Sequence, residues 1–173
     1  FSTDERLLLT LGRLVERKGV RWFVGNVLPK LPEDVRYLVA GSGPEEAAIR
    51  AAGEAAGVSG RLHLLGSVDE EMKELLLRGA DLFIQPNVPV VGDMEGFGLV
   101  TVEAATRGTV VVAASLEGLT DAVVDGETGI LLRPADPGVW VPALTDLLED
   151  GSGRQELGRR FADSARRLYG EER

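Results

Sequence analysis

The sequence predicts an α/β fold built on a parallel sheet covered on both faces. Three observations carry that expectation. Short apolar runs alternate with helix-like segments along the whole chain. Most of the runs are leucine-rich or β-branched rather than strictly alternating, the pattern of strands buried on both sides. Glycines stand at the joints, at positions 19, 41, 43, 66, 108, 118 and 126. No internal repeat or low-complexity tract interrupts the rhythm.

The first strand is LLLTL (7–11), followed by a helix expected near 18–30. RYLVA (36–40) is the second strand. It leads through Gly41 and Gly43 into a helix near 45–57, where Pro44 suits a first helical position and Glu45 and Glu46 suit the positive end of the helix dipole. RLHLL (61–65) and a helix near 70–79 come next. His63, the chain's one histidine, lies inside that apolar strand and reads as a structural residue. DLFIQ (81–85) precedes a long loop and a helix near 98–107, and TVVVA (109–113) and GILL (129–132) complete six strands. Two helices follow near 138–149 and 153–169. In the last, Leu157, Phe161, Ala165 and Leu168 share one face and arginines lie elsewhere, as in an amphipathic packing helix. Right-handed crossovers give a Rossmann-like three-layer sandwich. The reading is of one domain over 1–173, with 1–6 a linker remnant and 153–173 a terminal helix; the abrupt FSTDER start suggests a piece of a longer protein.

With 173 residues and 44% hydrophobic composition the chain can bury a core. The absence of cysteine removes disulfides and thiolate metal sites and fits a reducing, cytoplasmic location. A single histidine makes a zinc or histidine-triad site hard to assemble. A net charge of −9 argues against a nucleic-acid partner, because phosphate contacts need a basic surface. No stretch has the apolar length of a membrane span.

Parallel sheets bind ligands where their strands turn into helices, so the chemistry should lie in those loops. After the first strand, GRLVERKGV places Gly12, Arg13 and Lys18 beside a helix start, two cations suited to clamping a phosphate. A solvated basic loop is the plainer alternative. The chain has three lysines, Lys18, Lys30 and Lys73, which singles out position 18 weakly. After the second strand, AGSGPEE begins like a dinucleotide fingerprint, but Glu46 stands where the third glycine would meet a pyrophosphate. A tight turn explains that loop as well.

The fourth loop, QPNVPVVGDMEGFGLVTVEA, is the richest. Asp93 and Glu95 could suggest a metal clamp, although a lone carboxylate pair in a loop is more often solvated, and no metal is expected. The amides of Gly96, Phe97, Gly98 and Leu99 open a helix and can face an anion. Glu103 falls about one turn inside that helix and leans back toward its start, while Glu95 stands on the other side of the turn. Two carboxylates flanking an anion site suit a diphosphate that carries hydroxyl-bearing groups on both arms, a sugar and a ribose.

Taken in order, GRLVERKG, GSGPEE, EGFGLVTVE and DGETGILLRPAD resemble the carboxyl-terminal domain of family 4 retaining glycosyltransferases, the group 1 glycosyl transferases. The similarity runs from about Leu7 to Leu148, and the Glu-x7-Glu element from Glu95 to Glu103, with Arg13 and Lys18 upstream, is its most specific part. The resemblance implies the donor half of a two-domain B-type glycosyltransferase. Arg13 and Lys18 would neutralise the donor diphosphate, Glu95 would position the sugar, and Glu103 the ribose. Gly43 and the loop Gly66, Ser67 and Val68 would flank the base.

The implied donor is a UDP-, GDP- or ADP-sugar, transferred with retention and without metal or other cofactor. An amino-terminal domain would hold the acceptor, so this chain is expected to bind donor and to transfer poorly alone. Peripheral membrane association of the longer protein is a further expectation. The sequence departs from the family pattern at Val110, where proline is common, at Glu117 in a usual glycine pair, and at Asp121 in place of glutamate. A nicotinamide or flavin Rossmann domain and a noncatalytic nucleotide-sugar-binding module are the competing readings.

Overall fold

The computed structural model describes residues 4–170 and contains six strands: β1 (Arg6–Leu11), β2 (Val35–Ala40), β3 (Leu62–Gly66), β4 (Leu82–Gln85), β5 (Val110–Ala114) and β6 (Ile130–Leu132). They form one parallel sheet in the order β3-β2-β1-β4-β5-β6. Each strand begins and ends within one residue of its expected bounds, because the sequence signal was burial itself. All of β4 and β5 is buried, whereas β3 and β6, at the two edges, are only partly covered.

Seven α-helices connect and cover the strands: α1 (Val20–Asn26), α2 (Glu46–Ala56), α3 (Glu70–Gly79), α4 (Leu99–Thr106), α5 (Leu119–Ala122), α6 (Pro137–Glu149) and α7 (Gly151–Tyr169). The single helix expected over 18–30 is instead three pieces. A 3-10 turn at Glu16–Lys18 ends at Gly19, whose φ of 73° breaks the helix before α1 begins. A second 3-10 turn at Leu28–Lys30 carries Pro29, which cannot donate an N–H to continue a helix. The turn α5 falls where a loop was expected; four residues are too few to show a helical period, yet Leu119 and Ala122 are buried. α7 begins two residues earlier than expected because the Asp150 carboxylate accepts the Gly153 N–H at 2.9 Å and caps it. Of the proposed linker, residues 1–3 lie outside the described residues and Arg6 already belongs to β1; residues 171–173 lie outside them too.

Two hydroxyl groups within the core, those of Thr10 and Tyr37, are paired. Thr10 gives its one hydroxyl proton to the Ile84 carbonyl at 2.6 Å, so Tyr37 is the donor in the 2.7 Å contact between the two hydroxyls. This chain of bonds runs across β2, β1 and β4. Burial pushes the Tyr37 phenol far above its ordinary value.

Phe23 of α1 packs on Tyr37 at 4.7 Å and on Trp140 of α6 at 6.2 Å. At the end of α6 the chain passes beneath the amino ends of the strands, where Arg6 donates to the Leu148 carbonyl (2.9 Å) and Arg154 to Asp81 (3.1 Å). α7 then returns against α4 and β5, burying Phe161, Ala162 and Ala165 and leaving Leu168 exposed. Among the described residues no helix is long and apolar enough to cross a membrane.

Candidate functional site

The strand order reverses between β1 and β4, and loops leaving there diverge to opposite faces, which opens a crevice at the carboxyl ends of the strands. A pocket of about 450 Å³ occupies it. Its floor is backbone. Gly12 N–H donates to the Ala40 carbonyl (3.0 Å), Leu14 to Ser42 (2.9 Å) and Gly41 to Gly66 (2.8 Å), so the loops after β1, β2 and β3 are bonded to one another. Gly41 has φ 138°, and a Cβ there would lie 1.8 Å from the Gly12 carbonyl oxygen, so no side chain can stand at that crossing.

Lys18 enters the pocket from the β1 loop. Its ammonium lies 2.9 Å from Glu95 Oε1, with only 11% of the lysine side chain and 9% of the glutamate exposed. Glu95 Oε1 also accepts from Asn87 Nδ2 at 2.9 Å and lies 3.4 Å from Arg17 Nε. Asn87 in turn accepts from Gln85 Nε2 at 3.0 Å, and both amides are buried. The Glu95 N–H donates to Glu117 Oε1 at 2.9 Å. Burial alone would push the Glu95 carboxyl up; Lys18, Asn87 and Arg17 outweigh it and hold the group below its ordinary value. Glu95 is therefore a carboxylate at neutral pH.

The far wall is the start of α4. Gly98, with φ 76°, turns the chain into that helix. The amides of Leu99 and Val100, which a helix start leaves without intrahelical acceptors, border the pocket. Glu103 follows one turn in and pairs with Lys73 of α3, whose ammonium lies 3.1 Å and 3.2 Å from its two oxygens. This pair is more open, at 27% and 31% exposure.

Of the residues singled out in the sequence, Gly12, Lys18, Ser67, Val68, Glu95, Gly98, Leu99 and Glu103 line this pocket. Arg13 does not. It is exposed, without an ion-pair or hydrogen-bond partner among the described residues, and does not converge with Lys18. Gly43 is packed under Leu14, where a Cβ would fall 2.5 Å from the Leu14 carbonyl oxygen. Gly66 serves through its carbonyl, and Gly96 lies outside the lining. Phe97 turns away, edge-on to Tyr169 at 6.0 Å, into a second groove between α4 and α7.

Asp93 and Glu95 are both held by Arg17, at 3.2 Å and 3.4 Å, and among the described residues no three histidine, cysteine, aspartate or glutamate side chains gather to hold a metal. Glu46 begins α2 and pairs with Arg50 at 3.1 Å, which leaves a carboxylate where a dinucleotide fold needs a glycine. Sequence reading did not single out Arg17, Lys73, Gln85 or Asn87 for the site. The rarity of lysine could have flagged Lys73.

The sequence and the fold have known counterparts. Residues 5–150 match the family model described as glycosyl transferases group 1. Phosphatidyl-myo-inositol mannosyltransferase of Mycolicibacterium smegmatis is 34% identical over 171 residues, covering 96% of this chain and 42% of that protein. D-inositol 3-phosphate glycosyltransferase of Corynebacterium diphtheriae is 35% identical over 162 residues, covering 88% and 36%. The chain thus spans about two fifths of the length of these curated relatives. Among solved structures, sucrose-phosphate synthase from Thermosynechococcus elongatus superposes with a TM-score of 0.85 at 27% identity, over 98% of this chain and 43% of that one. Anabaena HepE in complex with UDP and glucose gives 0.82 at 21% identity, over 96% and 45%, a likeness of fold.

Proposed function

The chain belongs to the group 1 glycosyltransferases, and from that premise we propose that it binds the nucleotide-sugar donor of a retaining glycosyl transfer, with the acceptor held by a further domain. The observation that carries the reading is the convergence of Lys18, the start of α4, Glu95 and Glu103 on one pocket at the strand-order reversal. A diphosphate set against the Leu99 and Val100 amides meets a helix start and the Lys18 ammonium together. Glu95 then faces the sugar and Glu103 the ribose, each accepting hydroxyl protons. Exposed and without a partner among the described residues, Arg13 would reach the diphosphate from outside the pocket.

In the proposed reaction the bond from the anomeric carbon to the diphosphate oxygen breaks, and an acceptor oxygen forms the new bond on the same face. The leaving diphosphate gains negative charge, which Lys18, Arg13 and the helix start stabilise where it develops. The chain's part is therefore positioning and charge compensation rather than proton transfer. No cofactor beyond the donor is part of this proposal, and its setting is cytoplasmic. The named relatives support glycosyl transfer; this chain matches about two fifths of their length, and the proposal assigns acceptor choice to the further domain.

Calorimetric titration of the chain with UDP, GDP and ADP, with NAD as the control, tests the reading. Binding of one diphosphate, weakened about tenfold or more by Glu103→Ala through loss of a charged hydrogen bond, is expected. Preferential binding of NAD would overturn it.

A further inference from the structure

We propose that Asn87 and Glu117 are positioning residues for the donor sugar, fixing Glu95 with one carboxylate oxygen turned into the protein and the other presented to the ligand. The inference rests on the donor-binding reading and deepens it at one residue. Lys18, Asn87 and Arg17 all address the same oxygen, Oε1, at 2.9, 2.9 and 3.4 Å. Among the described residues Oε2 receives no hydrogen bond. A carboxylate oxygen left open beside a pocket is an acceptor for a hydroxyl group.

The amide chain behind Glu95 sets this orientation. An ionised carboxylate only accepts hydrogen bonds, so Asn87 must turn its NH2 toward Glu95 and its oxygen away. That oxygen then requires a donor, and Gln85 supplies Nε2 at 3.0 Å. The consequence is visible at the far end: Gln85 is wholly buried and its Oε1 has no hydrogen-bond partner among the described residues. A buried unpaired oxygen is unfavourable, and it is accepted here because reversing either amide would set oxygen against oxygen.

Lys18 is assigned both to Glu95 and to the diphosphate. Among the described residues the Asn87 side chain, by contrast, hydrogen-bonds only Gln85 and Glu95, so it keeps the carboxylate in place when the lysine charge is drawn to the phosphates.

Glu117 acts on the backbone. It has φ 53°, a left-handed conformation disfavoured for any residue with a Cβ. Glycine would stand there without strain. The glutamate instead uses Oε1 to accept the Glu95 N–H at 2.9 Å. With its backbone tied by Glu117 and its side chain by Asn87, Glu95 cannot rotate away from the ligand without breaking one of the two bonds.

The test compares a sugar nucleotide with its own diphosphate, using the pairs UDP-glucose and UDP, GDP-mannose and GDP, and ADP-glucose and ADP. For the pair that binds, the ratio of the two affinities isolates the sugar. Asn87→Ala and Glu117→Gly should each lower that ratio about tenfold while leaving affinity for the plain diphosphate nearly unchanged. Glu117→Gln, which keeps an acceptor oxygen, should retain the ratio. Glu117→Gly also removes the left-handed strain, so it provides a well-folded variant should Asn87→Ala fail to fold. An unchanged ratio, or an equal loss for sugar nucleotide and diphosphate, overturns the proposal and leaves the donor reading standing. Binding of none of the six ligands overturns both.

Discussion

Glu95 and Glu103 bound one turn of chain and face one pocket, yet they are held in opposite ways. Glu95 is buried among side chains from the loops after β1 and β4, with Lys18, Arg17 and Asn87 on one oxygen and Glu117 on its amide. Glu103 lies on a helix flank, and among the described residues its carboxylate makes one ion pair, with Lys73, itself on a helix. The difference teaches that sheet-end loops give a fixed carboxylate, whereas a helix-to-helix pair gives an exchangeable one. A ligand can displace Lys73 from Glu103 at little cost. It cannot move Glu95 without disturbing the crevice.

The largest expected effect is at Lys18. Lys18→Met leaves Glu95 buried beside a weaker set of partners and should destabilise the fold by about 3 kcal/mol, read by urea unfolding at pH 7. Under the proposed function it should also remove diphosphate binding.

A smaller effect concerns acid. The folded Glu95 lies below the ordinary glutamate value of 4.5, so the stability it contributes is fully present above that pH and is lost as pH falls through the folded value. Lys18→Met removes the leading opposition to burial, so the folded value rises toward or past the ordinary one and the acid-dependent loss belonging to Glu95 should shrink or reverse in the variant. Unfolding curves between pH 3 and 6 would show it; identical acid limbs for parent and variant would contradict the assignment.

The smallest effect is at Lys73. As a half-exposed pair with Glu103 it should cost less than about 1 kcal/mol on Lys73→Met, by the same unfolding assay. A loss equal to that at Lys18 would break the comparison.

The strands were legible in the sequence because doubly covered strands are written as unbroken apolar runs, and Val110 to Ala114 is such a run. Gly19 was read as a joint, but that it divides the helix expected over 18–30 was not legible; the close approach of the Pro86 carbonyl, 67 positions away, leaves no room for a side chain there. At the site, Lys18, Glu95 and Glu103 could be read from their place beside turns. Their partners could not. The Lys73–Glu103 pair joins α3 to α4 across 30 positions, and Asn87 looks in sequence like an ordinary loop asparagine beside proline. Arg13 shows the converse: its residue type and place beside the strand suggested convergence with Lys18, but the turn after Gly12 leaves it facing solvent.

The backbone bonds from Gly12 to Ala40, Leu14 to Ser42 and Gly41 to Gly66 have a thermodynamic consequence. Loops usually lose conformational freedom when a ligand arrives, and that loss subtracts from affinity. Here the amides of the loops after β1 and β2 are already engaged with neighbouring carbonyls, so little further ordering of the floor accompanies binding. Hydrogen-exchange protection at Gly12, Leu14 and Gly41 should resemble that of strand residues, and preference among ligands then falls to the side chains standing above a rigid base.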